Sequence, residues 1–168
     1  ALGADLDLAL AGLAGWSPVK GRGARFTVDV PDGSVTVLDD AYNANPTSVT
    51  AALTVLAATK GEGRRIAFLG DMGELGDEAA TLHAQLAAFP AMDNIDTVHC
   101  IGPLMAALHA ALPEAKRGLR VETSAEAVAA LNGEICGGDV VLAKGSLYMQ
   151  MARVVDAIRE IGQGNAPS

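Results

Sequence analysis

Side chains able to bind or activate a ligand gather in three short stretches of this 168-residue chain. The first, Asp39-Asp40-Ala41-Tyr42-Asn43-Ala44-Asn45-Pro46, holds two carboxylates, a phenol and two amides. Such a set offers acceptors for ribose hydroxyls, donors for a base or phosphate, and one aromatic face, which suits a nucleotide. Asn45 also has a purely structural reading, because an amide before proline caps a helix. The second stretch, Gly70-Asp71-Met72-Gly73-Glu74-Leu75-Gly76, sets Asp71 and Glu74 among glycines that let backbone N–H groups approach a ligand closely. A flexible acidic turn is the competing reading. The third, Lys144-Gly145-Ser146, ends an apolar run with an ammonium, which is costly there unless it emerges at a mouth and finds a partner.

The surrounding periodicity says what must position these groups. Phe26, Val28 and Val30 alternate with polar residues, Pro31-Asp32-Gly33 turns the chain, and Val35, Val37 and Leu38 follow, which predicts a hairpin. Short apolar runs at Ile66–Leu69, Val98–Ile101 and Val140–Ala143, with a weaker one at Leu119–Val121, alternate with helical stripes. The stripes are Val49, Leu53 and Leu56; Leu82, Leu86 and Phe89; Val128 and Leu131; and Met151, Val154, Val155 and Ile158. Helix starts are marked by Asn45-Pro46, Asp77, Gly102-Pro103, and Thr123 with Glu126. The pattern predicts an α/β fold, a mostly parallel sheet flanked by helices with an N-terminal β-hairpin. In such a sheet the ligand crevice lies at the carboxyl ends of the strands, where all three stretches fall. They are expected to converge on one edge.

Composition narrows the function. Twelve basic against twenty acidic residues give a net charge of -8 without any Lys/Arg cluster, which argues against a nucleic-acid groove. No apolar run approaches the roughly 20 residues of a bilayer span, and Asp5 and Asp7 stand where a signal peptide would carry basic residues, so a cytoplasmic location is expected. Cys100 and Cys136 lie in apolar surroundings and are expected to be buried, reduced thiols. There is no G-x-x-x-x-G-K-[ST], and Gly21-x-Gly23 and Gly61-x-Gly63 precede strands and lack a third glycine, so neither a P-loop nor a dinucleotide fingerprint is present. His83, His99 and His109 have no triad or metal-ligand spacing, and no metal site is expected. The leucine stripe of Ala1–Ala14, followed by Gly15, Pro18, Gly21 and Gly23, resembles the end of a larger unit. The domain on its own looks catalytically incomplete.

The combination D-D-A-Y-N-A-N-P-T-S (Asp39 to Ser48), L-G-D-M-G-E-L-G (Leu69 to Gly76) with His83 downstream, and A-K-G-S (Ala143 to Ser146) resembles the C-terminal domain of the Mur ligases. Within that family it is most similar to the branch that joins D-alanyl-D-alanine to a UDP-MurNAc-tripeptide in peptidoglycan synthesis. The resemblance runs from about Val19 to Ile161. It implies a Rossmann-like domain at 19–162, the tail of a preceding central domain at 1–18, and absent N-terminal and central domains; the polar composition of the end predicts a disordered tail at 163–168. ATP would be the cosubstrate, with Mg²⁺ held mainly by the central domain. The implied chemistry is phosphorylation of the tripeptide carboxylate by ATP, then attack of the D-Ala-D-Ala amine on the acyl phosphate. By resemblance Asp40, Tyr42, Asn43 and Asn45 would bind the nucleotide, Asp71, Glu74 and Ser146 the amine substrate, and Lys144 would be catalytic. A hinge near Lys20–Gly23 would let the domain close on ATP. Many relatives follow K-G-S with arginine; here Leu147-Tyr148 follow, and no charged contact is implied at that position.

Two other classes share some of these features. A receiver-type phospho-acceptor domain also places an acidic pair, an Asp and a Lys after successive strands, as do Asp39/Asp40, Asp71 and Lys144, but the Gly-Ser after Lys144 and the Y-N-A-N-P segment fit it poorly. A non-catalytic binding module rests only on the leucine helix.

Overall fold

The structure, a computed structural model, describes residues 20–164. The helix expected at Ala1–Ala14 and the end of the tail lie outside the described residues. Strands β1 (Ala24–Val30) and β2 (Gly33–Asp40) pair antiparallel as the expected hairpin, Val30 opposite Gly33. After β2 come α1 (Pro46–Ala58), β3 (Arg65–Gly70), α2 (Ala79–Gln85), β4 (Thr97–Ile101), α3 (Met105–Ala111), β5 (Arg117–Val121), α4 (Ser124–Ala129), β6 (Val140–Lys144) and α5 (Ala152–Gly162). The six strands form one sheet in the order β1-β2-β6-β3-β4-β5, parallel apart from the edge strand β1.

Every residue of β6 is buried, because this strand has a parallel neighbour on each side and helices over both faces. Its side chains alternate between two cores. Val140 and Leu142 join Leu53 and Leu56 of α1, with Met105 and Leu108 of α3, on one face. Val141 and Ala143 join Val154, Val155 and Ile158 of α5 on the other. Full burial of each such branched side chain contributes roughly 1.5–3 kcal/mol, so the position of β6, and with it of Lys144, is fixed from both sides.

Helix starts differ in how they are built. Asn45 caps α1 in a reciprocal box with Ser48, as the sequence predicts. Thr123 caps α4, while the Glu126 carboxylate reaches back to the Glu122 N–H. Asp77 caps nothing; it lies in a tight turn, Gly76–Glu78, and α2 begins at Ala79 without a side-chain cap. The buried residue of α2 is His83, with Leu82 only half-buried, so the expected apolar stripe is rotated towards the histidine. Cys100 is buried as expected and burial pushes its thiol up to about 12, whereas Cys136 is exposed in the turns before β6, where no element covers it.

Candidate functional site

Because β2, β6 and β3 are adjacent, the three stretches that follow them meet at one edge of the sheet. Ser146 joins them. Its Oγ accepts the Gly73 N–H at 2.6 Å and donates to the Ala44 carbonyl at 3.4 Å, and its own N–H reaches the Asp71 carbonyl at 2.9 Å. The third loop turns directly over the second. A Cβ at Gly145 would stand 2.9 Å from the Gly70 Cα, so only glycine lets the two backbones pass.

Lys144 is 2% exposed, and its ammonium donates to Asp40 Oδ2 at 2.5 Å and to the Asn43 carbonyl at 2.9 Å. Burial of an ammonium is tolerated when it is paired and hydrogen-bonded. Two acceptors serve three N–H donors, so one donor has no protein partner among the described residues. The Asp40 side chain keeps 27% of its surface in water.

Tyr42, Asn43 and Asn45 are exposed around this pair. Asn43 Oδ1 accepts the Ala44 N–H at 2.8 Å and Asn45 Oδ1 the Ser48 N–H at 2.8 Å. The local fold thus engages both amide oxygens, while neither NH₂ group has a hydrogen-bond partner among the described residues. The Arg22 guanidinium lies 4.1 Å from the centre of the Tyr42 ring, a stacked cation–π pair that the sequence reading missed. Asp39 is fully buried and serves the preceding segment, accepting the Gly21 N–H at 3.1 Å. The Gly23 N–H donates to the Asp39 carbonyl at 2.9 Å and the Tyr42 N–H to the Gly21 carbonyl at 3.0 Å. The glycine joint is therefore laced onto the first loop.

Asp71 is buried at 1% exposure, and its two oxygens accept the Met105 N–H at 2.9 Å and the Leu104 N–H at 3.3 Å. Its carboxylate caps α3, the cap that Gly102-Pro103 lacks. Burial raises its pKa, opposed by these two N–H bonds. His83 accepts the Met72 N–H on Nε2 at 3.0 Å and donates from Nδ1 to the Ala79 carbonyl at 2.6 Å, holding the second loop against α2. Its spacing from the G-D-M-G stretch was the only sign of this in the sequence. Glu74 is exposed, in the left-handed region at φ 60.

The Mur ligase, glutamate ligase domain family matches residues 24–147. The chain belongs to the Mur ligase family. The UDP-N-acetylmuramoyl-tripeptide–D-alanyl-D-alanine ligase of Bacillus subtilis is 33% identical over 149 residues, 87% of this chain and 33% of the relative. The ligase of the same name from Escherichia coli is 35% identical over 163 residues, 96% of this chain and 34% of the relative. This Mur ligase domain thus spans about a third of the length of the curated relatives it matches. A crystal structure of MurF from Acinetobacter baumannii superposes with a TM-score of 0.76 at 30% identity, over 95% of this chain and 35% of that one. MurF from Thermotoga maritima in complex with ADP shares the fold, with a TM-score of 0.70 at 21% identity over 95% of this chain and 36% of that one.

Among the described residues of the Mur ligase domain no three His, Cys, Asp or Glu side chains converge to hold a metal ion. These residues do not fit a Mg²⁺ site. No helix among them is long and apolar enough to cross a membrane.

Proposed function

We propose that this chain is the C-terminal domain of an ATP-dependent amide ligase that adds D-alanyl-D-alanine to UDP-MurNAc-tripeptide in the cytoplasm. Lys144 carries the reading: a buried ammonium, anchored by Asp40 and the Asn43 carbonyl and one donor short of saturation, stands where three ligand-type loops meet. The family match and the names of the relatives supply the reaction class.

In this reading the γ-phosphoryl of ATP passes to the tripeptide carboxylate with loss of ADP. The dipeptide amine then attacks the acyl phosphate carbon, phosphate leaves, and the amine gives up a proton. The domain contributes position and charge. Tyr42, Asn43 and Asn45 close over the nucleotide with an aromatic face and two amide donors, and Asp40 holds the lysine. Lys144 turns its remaining N–H to negative charge building at the reacting centre. Ser146 sets the separation of the loops, and Glu74 faces the amine substrate from their rim. Asp71, occupied by the start of α3, acts on that substrate by fixing the second loop. The nucleotide's phosphates and the tripeptide are held by N-terminal and central domains beyond this chain. Because the glycine joint is laced to the first loop, residues from Gly21 onward move with the domain when it closes.

A few net hydrogen bonds at about 0.5–1.5 kcal/mol each, set against the cost of association, leave the isolated domain with roughly millimolar ATP affinity or weaker. It is expected to show no turnover alone. The test is to supply the upstream two thirds, by fusion or in trans, and measure phosphate release. Release that requires both ATP and D-Ala-D-Ala is the expected result; a Mg²⁺-dependent phosphoryl adduct on Asp71 after acetyl phosphate treatment would favour the receiver-type reading.

A further inference from the structure

The two edges of the sheet are built differently. β5 is five residues long, two of them arginines, and its register against β4 slips between Val98 and Cys100. A short, irregular edge of one charge sign is poor at accepting another strand. β1 runs seven residues in unbroken register with β2 and holds no proline or lysine. On β2 the Thr36 N–H goes to the Asp139 carbonyl at 3.0 Å and the Ser34 carbonyl takes the Gly138 N–H at 2.8 Å, both away from β1. Thr36 faces Thr27 and Ser34 faces Asp29, so these are non-hydrogen-bonded pairs of the hairpin. By the same alternation Ala24, Phe26, Val28 and Val30 bond to β2, while Arg25, Thr27 and Asp29 turn their N–H and C=O groups to the open edge. At the end of α5 a Cβ on Gly162 would stand 2.8 Å from the Asp29 carbonyl oxygen, so glycine keeps that acceptor clear of a side chain.

β1 is also its own antiparallel complement. Turned about Thr27, Ala-Arg-Phe-Thr-Val-Asp-Val sets Arg25 against Asp29, Phe26 against Val28 and Thr27 against itself. Arg25 and Asp29 are exposed, and neither has an ion pair among the described residues. The residues whose charges match are those whose backbone groups are open, so a single register satisfies both. On the opposite face of the strand, a cleft of about 300 Å³ lies between Phe26, Val28 and the Arg159, Gly162 and Gln163 end of α5, leaving room for an apolar side chain from an added strand.

We propose that β1 pairs antiparallel with β1 of a second copy of this chain about a two-fold axis at Thr27, joining two six-stranded sheets into one. Arg25 of each copy exchanges backbone hydrogen bonds with Asp29 of the other, and their side chains meet as opposite charges on the solvent face. Phe26 packs on Val28 of the second copy over the cleft. Because β5 resists the same pairing, the assembly closes as a dimer.

The test is sedimentation equilibrium of the 168-residue chain, joined to amide hydrogen exchange by NMR. A monomer–dimer equilibrium is expected. The Arg25, Thr27 and Asp29 amides should exchange more slowly as concentration rises, while those of Phe26 and Val28, already bonded to β2, should not change. Arg25→Asp and Asp29→Arg each set like charges together twice across the axis and should weaken the dimer about tenfold; the double variant restores opposite pairs and should return to within about threefold of wild type. A chain that stays monomeric at millimolar concentration overturns the proposal, and so does a dimer indifferent to the single reversals, which would use another surface. Slow exchange of the three amides at every concentration would place another segment of the same chain on the edge, and overturns it as well.

Discussion

The two ends of β6 carry a buried charge each, and the fold treats them differently. Asp139, just before the strand, accepts the Arg64 N–H at 2.8 Å and Nε at 3.4 Å on Oδ1, and Arg64 Nη2 at 2.7 Å and the Cys136 N–H at 2.9 Å on Oδ2. Both oxygens are saturated by the protein. Lys144, at the other end, has two acceptors for three donors. A charge whose every bond is met inside the fold holds loops together; a charge left one bond short has capacity for something that arrives. Burial alone does not separate the two, since each is 2% exposed.

Exchanging the charges for neutral side chains should break the two ends in different ways. Lys144→Met in the complete ligase is expected to lower kcat by about 10²–10³-fold, the usual loss when one positioned donor to developing charge is removed. Its thermal midpoint should move little, because Asp40 retains contact with water. Asp139→Ala leaves the Arg64 and Cys136 N–H groups without acceptors and should cost about 3 kcal/mol of stability, read by urea unfolding of the domain. Its kcat per folded molecule should stay within about threefold of wild type. The opposite pattern, a stable but inactive Asp139→Ala or an active but unfolding Lys144→Met, would abolish the distinction.

That distinction was only half legible in the sequence. Alternation in Phe26–Val30 and the apolar runs of β3, β4 and β6 dictate the hairpin and the parallel strands, because burial on one face or two leaves a local pattern. From strand ends alone it followed that the three loops share an edge. What each polar group does there did not follow, since its partner is remote in the chain. Asp71 looks like an open ligand until α3, more than 30 residues later, supplies the N–H groups that occupy it. His83 looks like one polar residue in an apolar stripe until the Met72 N–H is found on its ring. The partner of Arg22 and the structural role of Asp39, which the sequence offers as a ligand-type carboxylate, were hidden for the same reason: Tyr42 and Gly21 are brought to them by the fold of the joint.

A buried group on β4 with one bond unmet adds to the comparison under acid. His99 lies flat on Phe68 and accepts the Leu119 N–H on Nδ1 at 3.0 Å, so its proton is on Nε2, which has no hydrogen-bond partner. Burial, assisted by the positive charge of Arg64, lowers its pKa to about 4. The ring is therefore neutral in the folded protein, and the 3.7 Å approach of Nε2 to Glu134 is not an ion pair. With the folded value below the unfolded one of about 6.5, the native state binds fewer protons in between. Stability from this group is full above pH 6.5 and falls as pH drops towards 4, by about 3 kcal/mol in all. His99→Asn, whose amide oxygen can replace Nδ1 as acceptor, should flatten that part of the stability profile between pH 6.5 and 4. An equal acid loss in wild type and variant would assign it to the carboxylates instead.

The smallest expected effect tests the contrast within one side chain. Asn45 is engaged at Oδ1, which caps α1, and has no partner for its NH₂ group among the described residues. Asn45→Asp and Asn45→Ser each preserve a strong cap, so both should leave the unfolding midpoint nearly unchanged, whereas Asn45→Ala loses the cap and about 1 kcal/mol. If the open donor faces the nucleotide, both capped variants should raise the KM for ATP by about three- to tenfold. Asp should exceed Ser, because it adds a negative charge beside the phosphates. An ATP KM that rises only in Asn45→Ala would tie the nucleotide to the order of the helix start and leave Asn45 a cap, putting the whole residue on the saturated side of the comparison.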